Sequence, residues 1–227
     1  MSAESPDAVA AGPLVKESVA MTIKQAIMEG RLKPGERVIE GKWAQDLRAA
    51  QTSVREGINL LIAEGFLVKD AGRSARVVSY QELDVAQIFE VRAAIEGLAA
   101  ELSSRKAVDL SPLEMALAKV RAAIQKEDLR ELVQEDLQFH LALVEASGNP
   151  VLLDLARRLL LPFFAFIQIK LLAKGRTAES FKGDLIYHEF MLQAIREGNP
   201  ALAEQVVRHC LSRLADSAHR FWSDNDR

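Results

Sequence analysis

Residues 147–152 read SGNPVL and residues 197–202 read EGNPAL, the same punctuation used twice. In each, glycine can close a helix in the left-handed conformation and asparagine can cap the next. Proline fits the first helical position, where an N–H has no intrahelical partner anyway. A break this short makes the two helices it joins antiparallel neighbours. From Glu82 onward the apolar residues keep a helical period between breaks. The spacing predicts six helices, Glu82–Ser104, Pro112–Glu127, Asp128–Ala146, Pro150–Lys174, Ala178–Glu197 and Pro200–Trp222. The second half of the chain is therefore expected to fold as a six-helix antiparallel bundle.

The first half has another texture. Val15, Val19, Ile23 and Ile27 recur every four residues up to Gly30, a helix with a glycine after its end. Pro34-Gly35 marks a turn, and Arg37–Ile39 suffices for a brief strand. Trp43, Ala44 and Leu47 share one face of a short second helix over Glu40–Arg48, with Trp43 expected in the core. Val54, Ile58, Leu61 and Ile62 define a third helix ending near Gly65, with a capping-box spacing, Ser53-x-x-Glu56, close to its start. Phe66–Lys69 and Ala75–Val78 read as two strands around a tip at Ala71-Gly72-Arg73. Three helices followed by a hairpin are the order of a winged helix-turn-helix. The expected fold class is thus mainly α, an N-terminal winged helix-turn-helix followed by a six-helix bundle. The expected domains are a disordered segment 1–13, a DNA-binding unit 14–78, a linker 79–83 and a helical metal- and effector-binding, dimerising domain 84–227.

Charge supports this division. The net charge is −3, which argues against binding nucleic acid over the whole surface. Residues 31–80 nevertheless hold nine Lys and Arg against six Asp and Glu, whereas residues 81–227 hold 18 against 22, a basic module on an acidic body. The longest apolar run, LLLPFFAFI over Leu159–Ile167, falls short of the roughly 18 residues of a membrane span and contains Pro162. It is expected in the core or between subunits. The N-terminus has neither the basic nor the apolar region of a signal peptide, and the one cysteine, Cys210, excludes an internal disulfide. A lone thiol fits a reducing compartment, so a cytoplasmic location is expected.

Asp136 and His140 stand four residues apart in EDLQFHLALVE, on the face of a helix that also carries leucines. A buried carboxylate costs several kcal/mol unless a partner compensates it. His188 lies eleven residues before Asn199 and His209 ten after it. In an antiparallel hairpin they sit at equal heights, at about 1.5 Å of rise per residue. Three imidazoles and one carboxylate converging in a bundle form a nitrogen and oxygen site for a divalent cation; separately, each histidine could simply be a satisfied core residue. Arg92, in FEVRAAIE, is either an ion pair with Glu96 or a cation that meets an anionic ligand.

These residues carry a resemblance. GRLKPG, EGKWAQDL and AQTSVREGI stand where the GntR-family winged helix has G-x-L-x-P-G, E-x-x-L-A-x-x-L and S-R-T-P-V-R-E-A-L. The second half resembles the FCD ligand-binding domain of the FadR-like subgroup, in its six-helix VanR-type branch. The D-x-x-x-H, second His and third His of that domain are matched at Asp136, His140, His188 and His209, and its E-x-R-x-x-x-E at Glu90, Arg92 and Glu96. The resemblance runs from about Leu14 to Trp222. It implies a dimeric bacterial transcription regulator that binds a palindromic double-stranded DNA operator, a divalent metal ion (zinc, nickel or manganese) and a small organic acid effector. Carried over residue by residue, it implies DNA contacts from Lys42, Gln51, Thr52, Ser53, Arg55, Gly72 and Arg73, metal ligation by Asp136, His140, His188 and His209, and effector binding by Arg92.

The chain departs from the family where Ala50 and Gln51 replace serine and arginine and Ser53 replaces proline. A glutamine there can pair with adenine, where an arginine would take guanine or phosphate. Arg73 and Arg76 at the wing read as phosphate or minor-groove contacts, or as a solvated hairpin tip. Two other functions compete with a ligand-controlled regulator. A metal-dependent hydrolase fused to a DNA-binding domain would need a general base beside the metal, and no motif supplies one. A ligand-free helical interaction module would leave Asp136 and the histidines unexplained.

Overall fold

The computed structural model describes residues 15–69 and 74–223. The segment 1–13, expected to be disordered, and the wing tip with Gly72 and Arg73 lie outside the described residues. The chain divides after Val77 into two compact units.

The first unit comprises α1 (Val15–Met28), β1 (Arg37–Val38), α2 (Glu40–Leu47), α3 (Gln51–Ala63), β2 (Leu67–Lys69) and β3 (Ala75–Val77). The strands form an antiparallel sheet in the order β1-β3-β2, with Leu67 opposite Val77 and Lys69 opposite Ala75. Val19, Ile23 and Ile27 of α1 meet a core completed by Val54, Ile58 and Leu61 of α3 and by Phe66 and Val77. This is the expected winged helix-turn-helix. The turn between α2 and α3 is made by Arg48 in the left-handed conformation (φ 50°), after which the Ala49 N–H donates to the Ala44 carbonyl at 3.0 Å. Two local expectations are corrected. The N-cap of α3 is Ala50, with no side-chain cap, so Ser53 lies inside the helix and makes no capping box. Trp43 is only half-buried, because the short α2 has no fully buried residue.

The second unit runs through α4 (Glu82–Ser104), α5 (Ser111–Gln125), α6 (Leu129–Ala146), α7 (Pro150–Ala173), α8 (Leu185–Arg196) and α9 (Pro200–Ser223). The repeated punctuation works as read. Gly148 and Gly198 have φ of 65° and 70°, and Asn149 and Asn199 accept backbone N–H bonds from Leu152 (3.3 Å) and Leu202 (3.2 Å). The helix expected over Ala178–Glu197 is split, since Ala178–Asp184 forms a 3-10 segment before α8 begins. Ser180 bonds back to the Thr177 carbonyl and Gly183 follows, both unfavourable in an α-helix interior. α4 packs along α9 and crosses α6, which in turn lies against α5 and α7. The apolar run of α7 is core: Leu160, Phe163, Phe164 and Phe166 are buried. Tyr80, expected in the linker, meets Phe163 and Phe166 edge-on at 6.0 and 5.1 Å, so it belongs to this unit.

Gly57 is a helix-interior glycine where the family has alanine, and packing explains it. A Cβ built there would stand 2.9 Å from the Lys16 carbonyl oxygen and from Val19 Cγ1, so the glycine lets α3 lie directly on α1. A branched side chain must push the two helices apart. Gly57→Val is expected to cost the first unit at least about 1–3 kcal/mol, the usual penalty of overpacking. Thermal unfolding checks this, and an unchanged midpoint would show that the α1–α3 contact is looser than described.

Candidate metal and effector site

α6 starts on a firm cap. The Asp128 carboxylate accepts from the N–H groups of Arg130 (3.0 Å) and Glu131 (2.9 Å). Leu132, Val133, Leu137, Phe139, Leu143 and Val144 then bury one side of the helix. That anchoring turns Asp136 and His140 inward together, as the four-residue spacing predicted. α8 contributes His188 and α4 contributes Arg92 and Glu96. Arg92, Glu96, His140 and His188 are 3%, 1%, 1% and 4% exposed, an unusual depth for such groups.

Asp136, His140 and His188 each offer a ligating atom, and these atoms all lie within 4.8 Å of one another. His188 Nε2 approaches Asp136 Oδ1 at 2.6 Å and His140 Nε2 approaches the same oxygen at 3.6 Å. The closer contact is an ion pair without hydrogen-bond geometry, so Asp136 Oδ1 and His188 Nε2 are both buried with no hydrogen bond. The rest of the Asp136 side chain is partly open, at 30% exposure. Two orphaned ligand atoms aimed at a common point, with a third beside them, fit a divalent cation with open positions left for other ligands.

Behind the ligands lies a second layer. His140 Nδ1 is 2.6 Å from Glu96 Oε2, and Arg92 Nε donates to Glu96 Oε1 at 3.0 Å. His188 Nδ1 faces the Asp184 carbonyl at 3.3 Å, which only a protonated Nδ1 can satisfy. In both rings the outward bonds place the proton on Nδ1 and leave Nε2 toward Asp136, the tautomer a metal needs. The Arg92 guanidinium lies 4.7 Å from the Phe89 ring centre and 5.2 Å from that of Phe164, and its Nη2 is buried without a partner. Arg92, Asp136, His140 and His188 border one cavity of about 100 Å³, whose remaining walls are mostly apolar and include Phe163, Phe181 and Leu214, with Asp184 and Ser217 as further polar members.

Burial dominates the electrostatics of every group here, and the partners decide the direction. Burial pushes the Asp136 carboxyl up, but His188, His140 and Arg92 overcome it and hold it at about 2. Glu96 is likewise held below its ordinary range against burial, by His140 and Arg92. Burial lowers His140 and Glu96 only partly restores it, whereas Asp136 and its neighbours lift His188 above its ordinary value.

The structure does not bring His209 into this group. It is exposed on α9, one residue from the buried Cys210. Equal height along a hairpin does not fix rotation, and one residue turns a helix by about 100°. The α9 face that reaches the cavity carries Leu214, Ser217 and Ala218. The contact between Glu96 and His140 escaped the sequence, where Glu96 pairs only with Arg92, and Asp184 and Ser217 carry no signal at all.

In the first unit, Lys42, Gln51, Thr52 and Arg55 are exposed and Ser53 is half-buried. Arg55 is held by Glu40, with Nε and Nη2 at 3.1 and 3.0 Å from Oε2. Arg76, read as a wing contact, instead donates to the Gly35 carbonyl at 3.0 Å within the sheet.

The opposite shifts of the two imidazoles give a direct check. In metal-free protein, His188 should titrate above 6.5 and His140 below it by NMR, and Asp136→Asn should bring His188 down. On stability the two act in opposite senses. The contribution of His188 is present below pH 6.5 and lost as pH rises through its raised value, whereas that of His140 is present above 6.5 and lost as pH falls through its lowered one. Identical titration of both rings would contradict the ion-pair geometry.

Comparison with known proteins places these features. Residues 15–77 match the gntR family of bacterial regulatory proteins, and residues 87–213 match the FCD domain. The chain is 33% identical over 131 residues to the uncharacterized HTH-type transcriptional regulator YdhC of Bacillus subtilis, a match spanning 56% of this chain and 58% of that protein. It is 24% identical over 181 residues to the gluconate operon transcriptional repressor of Bacillus licheniformis, covering 78% of this chain and 74% of that one. The fold is shared with the McbR/YncC structure from E. coli, at a TM-score of 0.72 and 21% identity over 93% of this chain and 98% of that one. These relatives are transcription regulators, not enzymes, and the two matched regions account for both units in order. The chain belongs to the gntR family of bacterial regulatory proteins, as a transcription regulator with a C-terminal FCD domain.

Proposed function

We propose that this regulator binds its operator as a homodimer under the control of a small carboxylate, held by a divalent metal at Asp136, His140 and His188 and by Arg92. The observation that carries the reading is Arg92 Nη2, a buried cationic donor with no partner, on the wall of the cavity that the three ligand atoms also face. A guanidinium left so would cost stability, and an anionic ligand repays that cost with charge-assisted bonds. The metal would supply Lewis acidity toward the same carboxylate, and the mixed ligands suit zinc, nickel or manganese. The placement in the VanR-type branch rests on Asp136, His140 and His188, with His209 left out.

Arg92 lies on α4, which follows β3 after residues 78–81. A ligand that favours one position of α4 therefore acts on the helix covalently joined to the DNA-binding unit. Coupling of this kind is typically worth about 1–3 kcal/mol, enough to change operator occupancy. Dimerisation is supported by an exposed apolar stripe, with Leu83, Val91 and Leu98 on α4 and Val151 and Leu155 on α7. The shallow groove bordered by Val91 and Leu159 joins the two helices, and a second copy of the same face would cover it. DNA reading is assigned to Gln51, Thr52 and Arg55, exposed at the start of α3, together with Ser53 and Lys42 and, from the wing sequence, Gly72 and Arg73.

Zinc analysis of the purified chain should find one equivalent that is lost in Asp136→Asn and His188→Ala and kept in His209→Ala. Retention in the first two variants would place the metal elsewhere. Selection from a random DNA pool should return a two-fold symmetric sequence whose affinity falls steeply with salt, since phosphate contacts release counterions. Arg55→Ala should lose that sequence. Light scattering should give the mass of two chains, and Val91→Arg should halve it; a monomer that still selects symmetric DNA with full affinity would refute the dimer.

A further inference from the structure

We propose that Glu40 is a positioning residue for DNA reading: it holds Arg55 so that the free end of the guanidinium pairs with O6 and N7 of one guanine in each half-site. The inference deepens the reading of DNA by α3 above and rests on it.

Glu40 opens α2, where the first turn of a helix favours a negative charge. Arg55 lies on the second turn of α3, four residues after Gln51 and so on the same face. The Glu40 side chain is 20% exposed and that of Arg55 59%, so the acid sits in the wall of the unit and the arginine reaches out from it. Arg55 Nε donates to both Glu40 oxygens, at 3.2 and 3.1 Å, and Nη2 donates to Oε2 at 3.0 Å. These bonds take the side edge of the guanidinium and fix its plane. A guanidinium has five N–H groups. The two on Nη1 and the second on Nη2 have no partner among the described residues, and together they form the end edge.

That edge presents two parallel donors. In the major groove only guanine shows two adjacent acceptors, N7 and O6. Adenine sets a donor beside its acceptor, thymine has one carbonyl and a methyl, and cytosine shows a donor. A phosphate also accepts in pairs, but charge counts against it. Arg55 with Glu40 is a pair of zero net charge, and the carboxylate behind the arginine repels a phosphate far more than a neutral base edge. In solution the pair contributes little stability; what it supplies is direction. An arginine already held in one arrangement loses less side-chain entropy on contact than one that must be ordered there.

The probe is the duplex that the full chain selects from a random DNA pool, with each base pair replaced in turn and affinity read by fluorescence anisotropy. One guanine in each half-site should be required, every other base there binding about tenfold more weakly or worse. 7-Deazaguanine at that position lacks one of the two acceptors and should cost the native chain about tenfold, a result independent of how any variant folds. Arg55→Gln should erase the preference at that position alone and keep the salt dependence. Glu40→Ala should relax the same position at least about threefold, with no further effect in an Arg55→Gln background. A loss in Arg55→Gln that is uniform over all positions, with a salt slope lower by about one, would mark a phosphate contact. That result, an unchanged preference in Glu40→Ala, or a change in Glu40→Ala at a different base would overturn this inference and leave DNA reading by α3 intact. A pool that returns no sequence, or an Arg55→Gln chain that binds as the wild type does, would overturn both.

Discussion

Glu96 holds the site together. It is a carboxylate in the apolar interior of a helical bundle, with both oxygens engaged, one by Arg92 on its own helix and one by His140 on α6. Removing one partner of a buried charge pair typically costs about 3–5 kcal/mol, because the other charge is left uncompensated. That penalty ties α4 to α6 and fixes the imidazole of His140 with its proton outward. The ligand atoms converge on one point because the groups behind them have a single satisfied arrangement. Asp184 plays the corresponding part for His188 through its backbone carbonyl.

The same residue types behave differently in the other unit, and burial is the reason. Arg55 and Glu40 form a good ion pair, but Arg55 is open to solvent, where water and salt screen the attraction. Such a pair costs little to break in solution. Arg92 cannot leave Glu96 so cheaply, and it offers its free nitrogen instead. One arginine is kept available at a surface, and the other is held still at the wall of a cavity.

The stacking of residues on α4 would give the proposed control its route. Its inner face carries Phe89 and Arg92 to the cavity wall and buries Glu96, while its outer face carries the apolar stripe of Leu83, Val91 and Leu98. A ligand that moves the inner face by a few tenths of an ångström also moves the outer one, since a packed helix shifts as a body. The cavity, the proposed dimer face and the connection to β3 therefore share one helix.

By itself the sequence determined the fold class, because hydrophobic period and helix punctuation are local properties. The two GNP breaks and the pairing of the wing hairpin follow from residues within a few positions of one another. It also determined that Asp136 and His140 share a face, since four residues make one helical turn. What only the tertiary structure decided was which groups from distant helices meet. His209 matched His188 in distance from the turn, yet it faces solvent, because rotation about the helix axis is set by what the whole of α9 buries. Glu96 reaches His140 across 44 residues of sequence, and Asp184 and Ser217 meet across 33. Such contacts depend on how helices cross and rotate when they pack, and no short-range pattern in the chain encodes that.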